Sequence, residues 1–267
     1  MLVSIIIPAF KQEKSIKEDV RRIYNVMTKT RWDFEIIVVV DGFLDGTFDE
    51  AKKVNLAEVT VIGYKENKGK GYAVRYGMAR AVGDYVSFID AGMDIDPNGI
   101  SMLMEHMEWY NADVIVGSKG HPVSKTNYPI IRRLYSLGYH LLVRILFGLK
   151  IKDTQTGLKV YRREVLEKIL PRLLVKRFAF DIEILAVSHY LGFRRIFEAP
   201  VEINWNDENT NFTPLIIFDR NIRLMLVDTA AIFYRLKILR YYDDKKKRIW
   251  KYDPELEMKV NTGEIGK

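Results

Sequence analysis

The first 110 residues alternate short apolar runs with longer segments of helical period, and this alternation constrains the fold more than any other feature. The apolar runs are rich in Val and Ile, are too short for helices, and cover residues 3–7, 34–40, 59–64 and 85–89. Between them, polar starts and apolar residues at helical spacing predict helices over residues 15–28, 45–54 and 71–81. Because parallel strands need such crossovers, the sequence predicts an α/β fold with a mostly parallel sheet flanked by helices.

A polar segment directly follows each of these predicted strands. The four segments cover residues 8–13, 41–47, 66–71 and 90–96. In an open parallel sheet, ligands bind in the crevice beyond the carboxyl ends of the strands. We therefore expect the functional side chains of this half of the chain to lie in these four segments.

The fourth segment places three carboxylates within seven residues, those of Asp90, Asp94 and Asp96. Hard cations such as Mg²⁺ and Mn²⁺ prefer oxygen ligands, and this loop can supply one or two while diphosphate oxygens supply others. The alternative is a turn in which Asp94 or Asp96 caps a helix that begins near Pro97.

Two further segments offer groups that can bind a nucleotide. The Asp41 carboxylate can accept a hydrogen bond from the ring N–H of a uracil or guanine base, whereas Asp45 is equally well explained as a helix cap. In residues 66–71, the glycines permit close backbone approach, and Lys70 can meet a phosphate at a helix start. This segment lacks the Walker spacing, and a plain turn is the alternative.

The character of the sequence changes after residue 110. Residues 114–116 are another short strand candidate, and amphipathic stretches cover residues 130–149 and 212–239. Charged residues interrupt both stretches, so we expect them to pack on the domain or to lie in a membrane interface rather than to span a bilayer. The chain after Trp250 is predicted to be a polar tail that is disordered from Asn261 onward.

The basic excess belongs to one part of the chain. The 267 residues include 42 Lys and Arg against 35 Asp and Glu, a formal net charge of +7. Residues 1–110 carry 14 basic and 17 acidic side chains, whereas residues 111–251 carry 26 and 14, and residues 252–267 carry 2 and 4. A basic second half favours an anionic lipid surface. The basic run at 245–248 could also contact RNA phosphates, but no RNA-binding signature accompanies it, and we expect no nucleic-acid partner.

Several classes of site are excluded by composition. The sequence has no cysteine, so it has no disulfide, thiolate metal site or cysteine nucleophile, which fits a reducing cytosol. Its four histidines lie 15 or more residues apart, so a histidine zinc site is not predicted. The apolar run from Leu2 ends at Pro8 and lacks a basic leader, which predicts a buried strand rather than a signal peptide or membrane span.

Seven segments together resemble those of a known family. In chain order they are "IIIPAF", "VVVDGFLDGT", "ENKGKGYAVRYGM", "DYVSFIDAGMD", Gly117-Ser118-Lys119, "IKDTQTGLKVYRREVL" and "FAFDIEIL". Their order and spacing are similar to those of family 2 glycosyltransferases, most closely the polyprenyl-phosphate type that includes the dolichyl-phosphate glucose and mannose synthases. The resemblance covers about residues 1–210.

This resemblance implies a fold, a division of the chain and an activity. A GT-A catalytic domain would cover residues 1–210, with a nucleotide-sugar half over 1–110 and an acceptor half over 111–210, followed by amphipathic membrane-interface helices over 211–250 and a polar tail over 251–267. The activity would be inverting transfer of a hexose to a polyprenyl or dolichyl phosphate. UDP-glucose is the favoured donor and GDP-mannose the alternative. The resemblance further implies Mg²⁺ or Mn²⁺ as cofactor and a cytoplasmic protein, peripheral on the cytoplasmic face of a membrane.

The resemblance also assigns individual residues. Those expected to bind the nucleotide sugar are Pro8, Ala9, Phe10, Glu13, Asp41, Lys70, Asp90 and Ala91. Those expected to act in catalysis are Asp90, Asp181 and Gln155, with Asp90 and Asp94 as metal ligands. Those expected to bind the acceptor phosphate are Lys119, Arg132, Arg133 and Ser136.

The sequence departs from the family pattern at three places. Lys11-Gln12 replaces Asn-Glu after the first strand, Val40 replaces the first Asp of the base-binding pair, and Gly92 replaces the second Asp of the metal triplet. Two other functions are kept as alternatives. One is a family 2 transferase that acts on a soluble or glycan acceptor, and the other is a non-catalytic, basic protein that binds nucleic acid or membranes.

Overall fold

A seven-stranded sheet organises the chain. The computed structural model describes residues 1–126, 130–177, 179–203, 220–243 and 248–265, with side chains for all of these except 126, 130–136, 220 and 221. The described strands are β1 Leu2–Ala9, β2 Asp33–Asp41, β3 Val59–Tyr64, β4 Tyr85–Ile89, β5 Val114–Ser118, β6 Lys125–Thr126, β7 Leu158–Arg162, β8 Ile196–Pro200, β9 Glu202–Ile203, β10 Arg248–Asp253 and β11 Met258–Ile265. The described α-helices are α1 Ile16–Met27, α2 Thr47–Lys52, α3 Lys70–Arg80, α4 Asn98–Trp109, α5 Ile130–Phe147, α6 Arg163–Ile169, α7 Phe180–Tyr190 and α8 Arg220–Phe233.

The order of the strands confirms the predicted α/β class. The large sheet runs β3-β2-β1-β4-β7-β5-β8, and the predicted order of strands and helices in the first half is confirmed as β1-α1-β2-α2-β3-α3-β4. Every pairing in this sheet is parallel except those of β7, which runs antiparallel to both β4 and β5. The carboxyl ends of β1, β2 and β4 therefore meet at one edge.

Separate apolar cores cover the two faces of the sheet. Because side chains alternate along a strand, Ile6 belongs to one core, and Ile5 and Ile7 belong to the other; all three are completely buried. The Ile6 core includes residues of α3, α6 and α7, and the Ile5 core includes residues of α1 and α4. These two layers hold the strand ends rigidly at the functional edge.

Strand β7 is not predicted by the sequence, and it brings a distant loop to that edge. Its register pairs Lys159 with Phe88 and Leu158 with Ile89. The Asp90 N–H also donates to the Gly157 carbonyl at 3.0 Å. The predicted acidic loop and the loop at 153–157 are thereby adjacent, although more than 50 residues separate them in sequence.

The predicted amphipathic stretches contain helices α5 and α8. The Tyr139 hydroxyl lies 2.9 Å from the Thr229 hydroxyl, and the rings of Phe147 and Phe233 meet edge to face with centroids 6.4 Å apart, so the two helices pack together. Helix α8 continues as a π-helix over Tyr234–Ile238, whereas residues 204–219 lie outside the described residues. Within the described ranges, no helix is both long and apolar enough to cross a membrane.

The predicted disorder of the chain from Asn261 onward is wrong for residues 261–265. Strands β10 and β11 form an antiparallel hairpin, and Asn261 is buried within it. The Asn261 amide donates to the Tyr241 carbonyl at 3.1 Å, and the Tyr241 hydroxyl donates to the Asn261 carbonyl at 2.8 Å. Apolar residues at alternate positions, Met258 and Val260, pack against the core, and this period-2 pattern was masked by the polar composition of the segment.

Candidate active site

A cleft of about 480 Å³ opens at the carboxyl ends of β1, β2 and β4. Most of the residues predicted to bind a nucleotide sugar or a metal line it, namely Pro8, Ala9, Phe10, Asp41, Lys70, Asp90, Ala91 and Asp94. Leu224, Met225 and Asp228 of α8 form part of its wall. The cleft therefore combines the edge of the parallel sheet with a helix from the C-terminal part of the chain.

Asp90 directly follows β4 and has one carboxylate oxygen free for a ligand. Its Oδ2 accepts a hydrogen bond from Lys70 Nζ at 2.8 Å, whereas its Oδ1 is buried and has no hydrogen-bond partner among the described residues. Gly157 leaves the space that this carboxylate occupies, since a Cβ at that position would lie 1.9 Å from Oδ2. A buried, unpartnered carboxylate oxygen is the type of donor that a divalent cation would satisfy.

Asp94 provides a second carboxylate at the same cleft. Burial raises the pKa of Asp94, and the neighbouring charge of Asp90 raises it further. Gly92 and Met93 between them have φ values of 93° and 55°, and the Gly92 N–H donates to Asp19 Oδ2 at 3.0 Å. This left-handed turn carries the chain back to the cleft and explains why glycine occupies position 92.

The two carboxylates fit a cation that is shared with a substrate. No group of three or more His, Cys, Asp or Glu side chains in the described part of the chain could hold a metal by itself. Asp90 and Asp94 would leave most coordination positions to phosphate oxygens and water, as Mg²⁺ prefers. For Asp96 the capping alternative is confirmed, because its Oδ1 accepts from the Asn98 N–H, at the first residue of α4, at 2.8 Å.

Lys70 is the first residue of α3 and joins two carboxylates. Its Nζ lies 2.8 Å from Asp90 Oδ2 and 3.9 Å from Asp181 Oδ2. Burial alone would lower the pKa of Lys70, but the charges of Asp90 and Asp181 outweigh it and raise the pKa. A charged ammonium group at the start of a helix is suited to bind an anion.

Asp181 lies behind Lys70, between two lysines, and is nearly fully buried. Its Oδ1 accepts from Lys159 Nζ at 2.5 Å, and Lys159, which is fully buried on β7, also donates to the Thr156 carbonyl at 2.6 Å. Burial lowers the pKa of Lys159 in spite of the Asp181 charge. The structure thus places Asp181 against cations, while its predicted role in catalysis stays a prediction.

Asp41 organises the loop that leads to Lys70. Its Oδ1 accepts from the Tyr64 hydroxyl at 2.9 Å and from the Lys68 N–H at 2.7 Å, and its Oδ2 accepts from the Asn67 side chain at 2.8 Å and the Gly69 N–H at 2.9 Å. These four hydrogen bonds occupy the acceptor sites of a carboxylate. The geometry therefore gives Asp41 a role in loop structure, and its predicted contact with the base would compete with these donors.

Two of the predicted residues lie beside the cleft rather than in it. Glu13 Oε2 accepts from the Gly46 N–H at 3.0 Å, and among the described residues Gln12, not Glu13, lines the cleft. The Gln155 N–H donates to Asp153 Oδ1 at 3.0 Å, and its Nε2 is buried without a hydrogen-bond partner in the described part of the chain. An unsatisfied amide beside the acidic loop is available to a ligand.

The predicted acceptor site is described in part. The Lys119 N–H donates to Asp153 Oδ2 at 3.1 Å, and its Nζ lies 3.8 Å from the same oxygen. Arg132, Arg133 and Ser136 belong to the first turns of α5, and their side chains lie outside the described residues. The predicted phosphate cradle therefore stays a prediction.

Sequence reasoning missed Lys159 and Arg177. Lys159 occupies an inward position in a strand-like run, and a charged residue at such a position signals a buried ionic partner. Arg177 lines the cleft just before α7 and adds a second cation to it. The basic segment 176–177 preceding "FAF" was the available signal for Arg177.

This fold and site define a class of protein. A mostly parallel sheet with an acidic loop after a central strand, next to a lysine at a helix start, is the GT-A glycosyltransferase fold. The glucosyl-3-phosphoglycerate synthase of Mycobacterium tuberculosis, solved in complex with Mn²⁺, UDP and phosphoglyceric acid, superposes with a TM-score of 0.63. The two share 19% sequence identity over 97% of this chain and 85% of that chain, a likeness that concerns the fold.

The sequence relationship is more specific. The model of the glycosyl transferase family 2 matches residues 4–170, so the chain belongs to that family and is a glycosyltransferase. A dolichyl-phosphate beta-glucosyltransferase of Dictyostelium discoideum is 30% identical over 77% of this chain and 66% of its own length. The dolichyl-phosphate beta-glucosyltransferase of Saccharomyces cerevisiae is 29% identical over 92% of this chain and 78% of its own length.

Proposed function

We propose that this protein transfers glucose from UDP-glucose to a dolichyl or other polyprenyl phosphate at a membrane surface. The observation that carries the proposal is the pairing of Lys70 with Asp90 in a cleft at the strand ends, where one Asp90 oxygen has no hydrogen-bond partner among the described residues. The names of the family 2 relatives supply the sugar and the lipid class. The volume of the cleft, about 480 Å³, is in the range of small-molecule sites.

The donor diphosphate would be bound by positive charges on two sides, those of a divalent cation and of basic side chains. Asp90 and Asp94 would hold Mg²⁺ or Mn²⁺, which would supply positive charge to the diphosphate leaving group. Lys70 would exchange Asp90 for a phosphate oxygen when the donor binds, while Asp181 keeps the ammonium group in place from behind. Arg177 would add charge at the same cleft. Stabilisation of the developing negative charge is usually the largest contribution to such a transfer.

The acceptor phosphate would need a cationic cradle rather than a general base. A phosphate monoester carries most of a second negative charge near pH 7, so its oxygen attacks without losing a proton. Lys119, together with Arg132, Arg133 and Ser136 of α5, would hold it. The transfer would invert the configuration at the sugar, as the resemblance to the polyprenyl-phosphate transferases implies.

The two packed helices α5 and α8 offer an apolar surface for the lipid. Leu137, Leu141 and Ile145 are exposed at successive turns of α5. Val227 on α8 and Ile238 on the following π-helix are exposed to a similar degree. Helices with such a face lie at the level of lipid headgroups, which would make the protein peripheral, on the cytoplasmic face in our proposal.

A transfer assay tests the proposal. Purified protein is incubated with Mg²⁺, polyprenyl phosphate and either radiolabelled UDP-glucose or GDP-mannose, and the product is extracted into organic solvent. We expect label in the organic phase with UDP-glucose and much less with GDP-mannose. Label that stays in the aqueous phase with both donors would contradict the proposal.

A further inference from the structure

The turn between β10 and β11 lies along helix α3, whose first residue, Lys70, lines the cleft. We call residues 253–257 the C-terminal turn. The Glu255 carboxylate binds Lys68 Nζ, two residues before α3. At the other end of the helix, an Arg80 guanidinium nitrogen donates to the Glu255 carbonyl at 2.9 Å and to Glu257 at 2.6 Å. The C-terminal turn is therefore joined to both ends of α3.

Aromatic rings of α3 also contact the two cations, Lys68 and Arg80, that bind the C-terminal turn. Tyr76 and Tyr72 lie one and two turns before Arg80, respectively, on the same face of α3. Lys68 Nζ lies 4.7 Å from the centroid of the Tyr72 ring, and the Arg80 guanidinium lies 3.7 Å from that of Tyr76. Each cation is thus held between a ring and an oxygen of the turn, which limits the orientations that it can adopt.

The C-terminal turn is itself firmly attached. Asp253 Oδ1 accepts from the N–H groups of Glu255 and Leu256 at 2.9 and 3.1 Å, which fixes the direction of the turn. The Leu256 side chain is 2% exposed and belongs to the core on the α3 side of the sheet. Glu255 is therefore presented from an anchored backbone rather than from a loose surface loop.

Lys68 is held from two sides, and its neighbours line the cleft. Its N–H donates to Asp41 Oδ1 at 2.7 Å, while its side chain binds Glu255. The next two residues, Gly69 and Lys70, are lining residues of the cleft. Of the two lysines in this loop, Lys68 binds Glu255 of the C-terminal turn, and Lys70 binds Asp90.

We propose that the C-terminal turn, through Glu255 and Lys68, positions Gly69 and Lys70 for the nucleotide diphosphate. Glu255 is a positioning residue, because it acts through Lys68 and is not among the described residues that line the cleft. The identity of the ligand rests on the proposed function, whereas the restraint on the loop does not. The hairpin lies beyond residues 4–170, where the family model matches, so this part of the site belongs to the C-terminal region of the chain.

Hydrogen exchange tests the restraint without any nucleotide. Glu255→Gln removes the charge that binds Lys68, and Glu264→Gln is the matched control, since Glu264 lies in the same hairpin and pairs with Lys251 at 3.6 Å. We expect exchange at the N–H groups of Lys68 and Gly69 to become about two- to five-fold faster in Glu255→Gln, as loss of a partly exposed ion pair implies. Equal rates in the two variants would overturn the inference.

Nucleotide binding tests the consequence for the site. Calorimetric titration with UDP and Mg²⁺ should show about two- to five-fold weaker binding to Glu255→Gln than to Glu264→Gln, with both variants folded. In turnover, the same factor should appear in KM for UDP-glucose with kcat nearly unchanged. Equal or tighter binding by Glu255→Gln would overturn the inference. Failure of the wild-type protein to bind UDP would contradict the proposed function, and the exchange rates would still decide whether the turn restrains the loop.

Discussion

Two buried carboxylates on helix α7, Asp181 and Glu183, serve two different regions of the molecule and are neutralised in different ways. Asp181 lies against cations, with Lys159 Nζ at 2.5 Å and Lys70 Nζ at 3.9 Å. Lys70 reaches the cleft, so the charge balance of Asp181 is connected directly to the residues that would meet a substrate.

Glu183 faces the opposite side of α7 and stabilises the fold there. It accepts hydrogen bonds from the N–H groups of Leu174 and Val175 at 2.9 and 2.8 Å and from the Tyr242 hydroxyl at 2.6 Å. Arg235 of the π-helix lies 3.6 Å away. Glu183 thus ties the C-terminal part of the chain to the domain, and burial raises its pKa in spite of these partners.

The difference shows how two similar residues acquire separate roles. A carboxylate paired with two lysine ammonium groups, one of which lines the cleft, keeps charge there that can be redirected to an anionic ligand. A residue neutralised by backbone N–H groups and a hydroxyl fixes the positions of its partners and has no such freedom. Asp181 and Glu183 are two residues apart on α7, about 200° around the helix, so they cannot both face the cleft.

The comparison is tested most strongly by matched amide substitutions at the two positions. We expect Asp181→Asn to lower kcat/KM per folded molecule by about 10- to 100-fold, the usual effect of losing a group that orients a ligand-binding residue. Glu183→Gln should change kcat/KM less than threefold. Both should lower the free energy of unfolding, by about 1–3 kcal/mol each, because each disturbs a buried, hydrogen-bonded charge.

Urea unfolding and steady-state kinetics on the same preparations separate these effects. If both carboxylates only stabilised the fold, both substitutions would lower the free energy of unfolding and leave kcat/KM per folded molecule unchanged. Equal losses of kcat/KM in Asp181→Asn and Glu183→Gln would therefore contradict the division that we infer. Loss of activity in Glu183→Gln with Asp181→Asn unaffected would reverse it.

A smaller effect should appear in the pH dependence of stability. Since burial raises the pKa of Glu183 above its ordinary value of 4.5, the folded protein holds this proton more tightly than the unfolded chain. The corresponding stabilisation is complete below pH 4.5 and is lost as the pH rises through the folded-state pKa. The free energy of unfolding of Glu183→Gln, measured relative to wild type, should therefore increase from pH 4.5 toward pH 7. A difference that stays constant with pH would show that Glu183 has the same pKa in both states.

The first half of the fold follows from local patterns. Strands β1 to β4 and helices α1 to α3 lie where period and turn residues predict them, and the polar segments after the strands meet at the cleft. Even here the sequence does not show which of two adjacent side chains points into the cleft. Gln12 lines the cleft and Glu13 turns to the Gly46 N–H, a difference of one residue that depends on how β1 ends.

The rest of the site depends on contacts between distant residues. The antiparallel insertion of β7 beside β4 places Lys159 next to Asp181, and no local pattern specifies which strand β7 joins. Lys68 and Glu255 are 187 residues apart, so their ion pair appears only when the C-terminal hairpin is folded. The sequence did not predict the hairpin, because two short strands with many polar residues have the composition of a disordered tail.

The central claim is that the cleft around Asp90 is where the sugar is transferred, and one comparison of variants tests it most directly. Asp90→Asn removes the proposed metal ligand and the partner of Lys70, whereas Asp33→Asn changes a carboxylate that is 85% exposed at the start of β2 and serves as control. In the assay with UDP-glucose and polyprenyl phosphate, we expect Asp33→Asn to transfer label to the organic phase at the wild-type rate. Asp90→Asn should lose transfer by at least about 100-fold while keeping its fold. Transfer by Asp90→Asn at the wild-type rate would contradict the account.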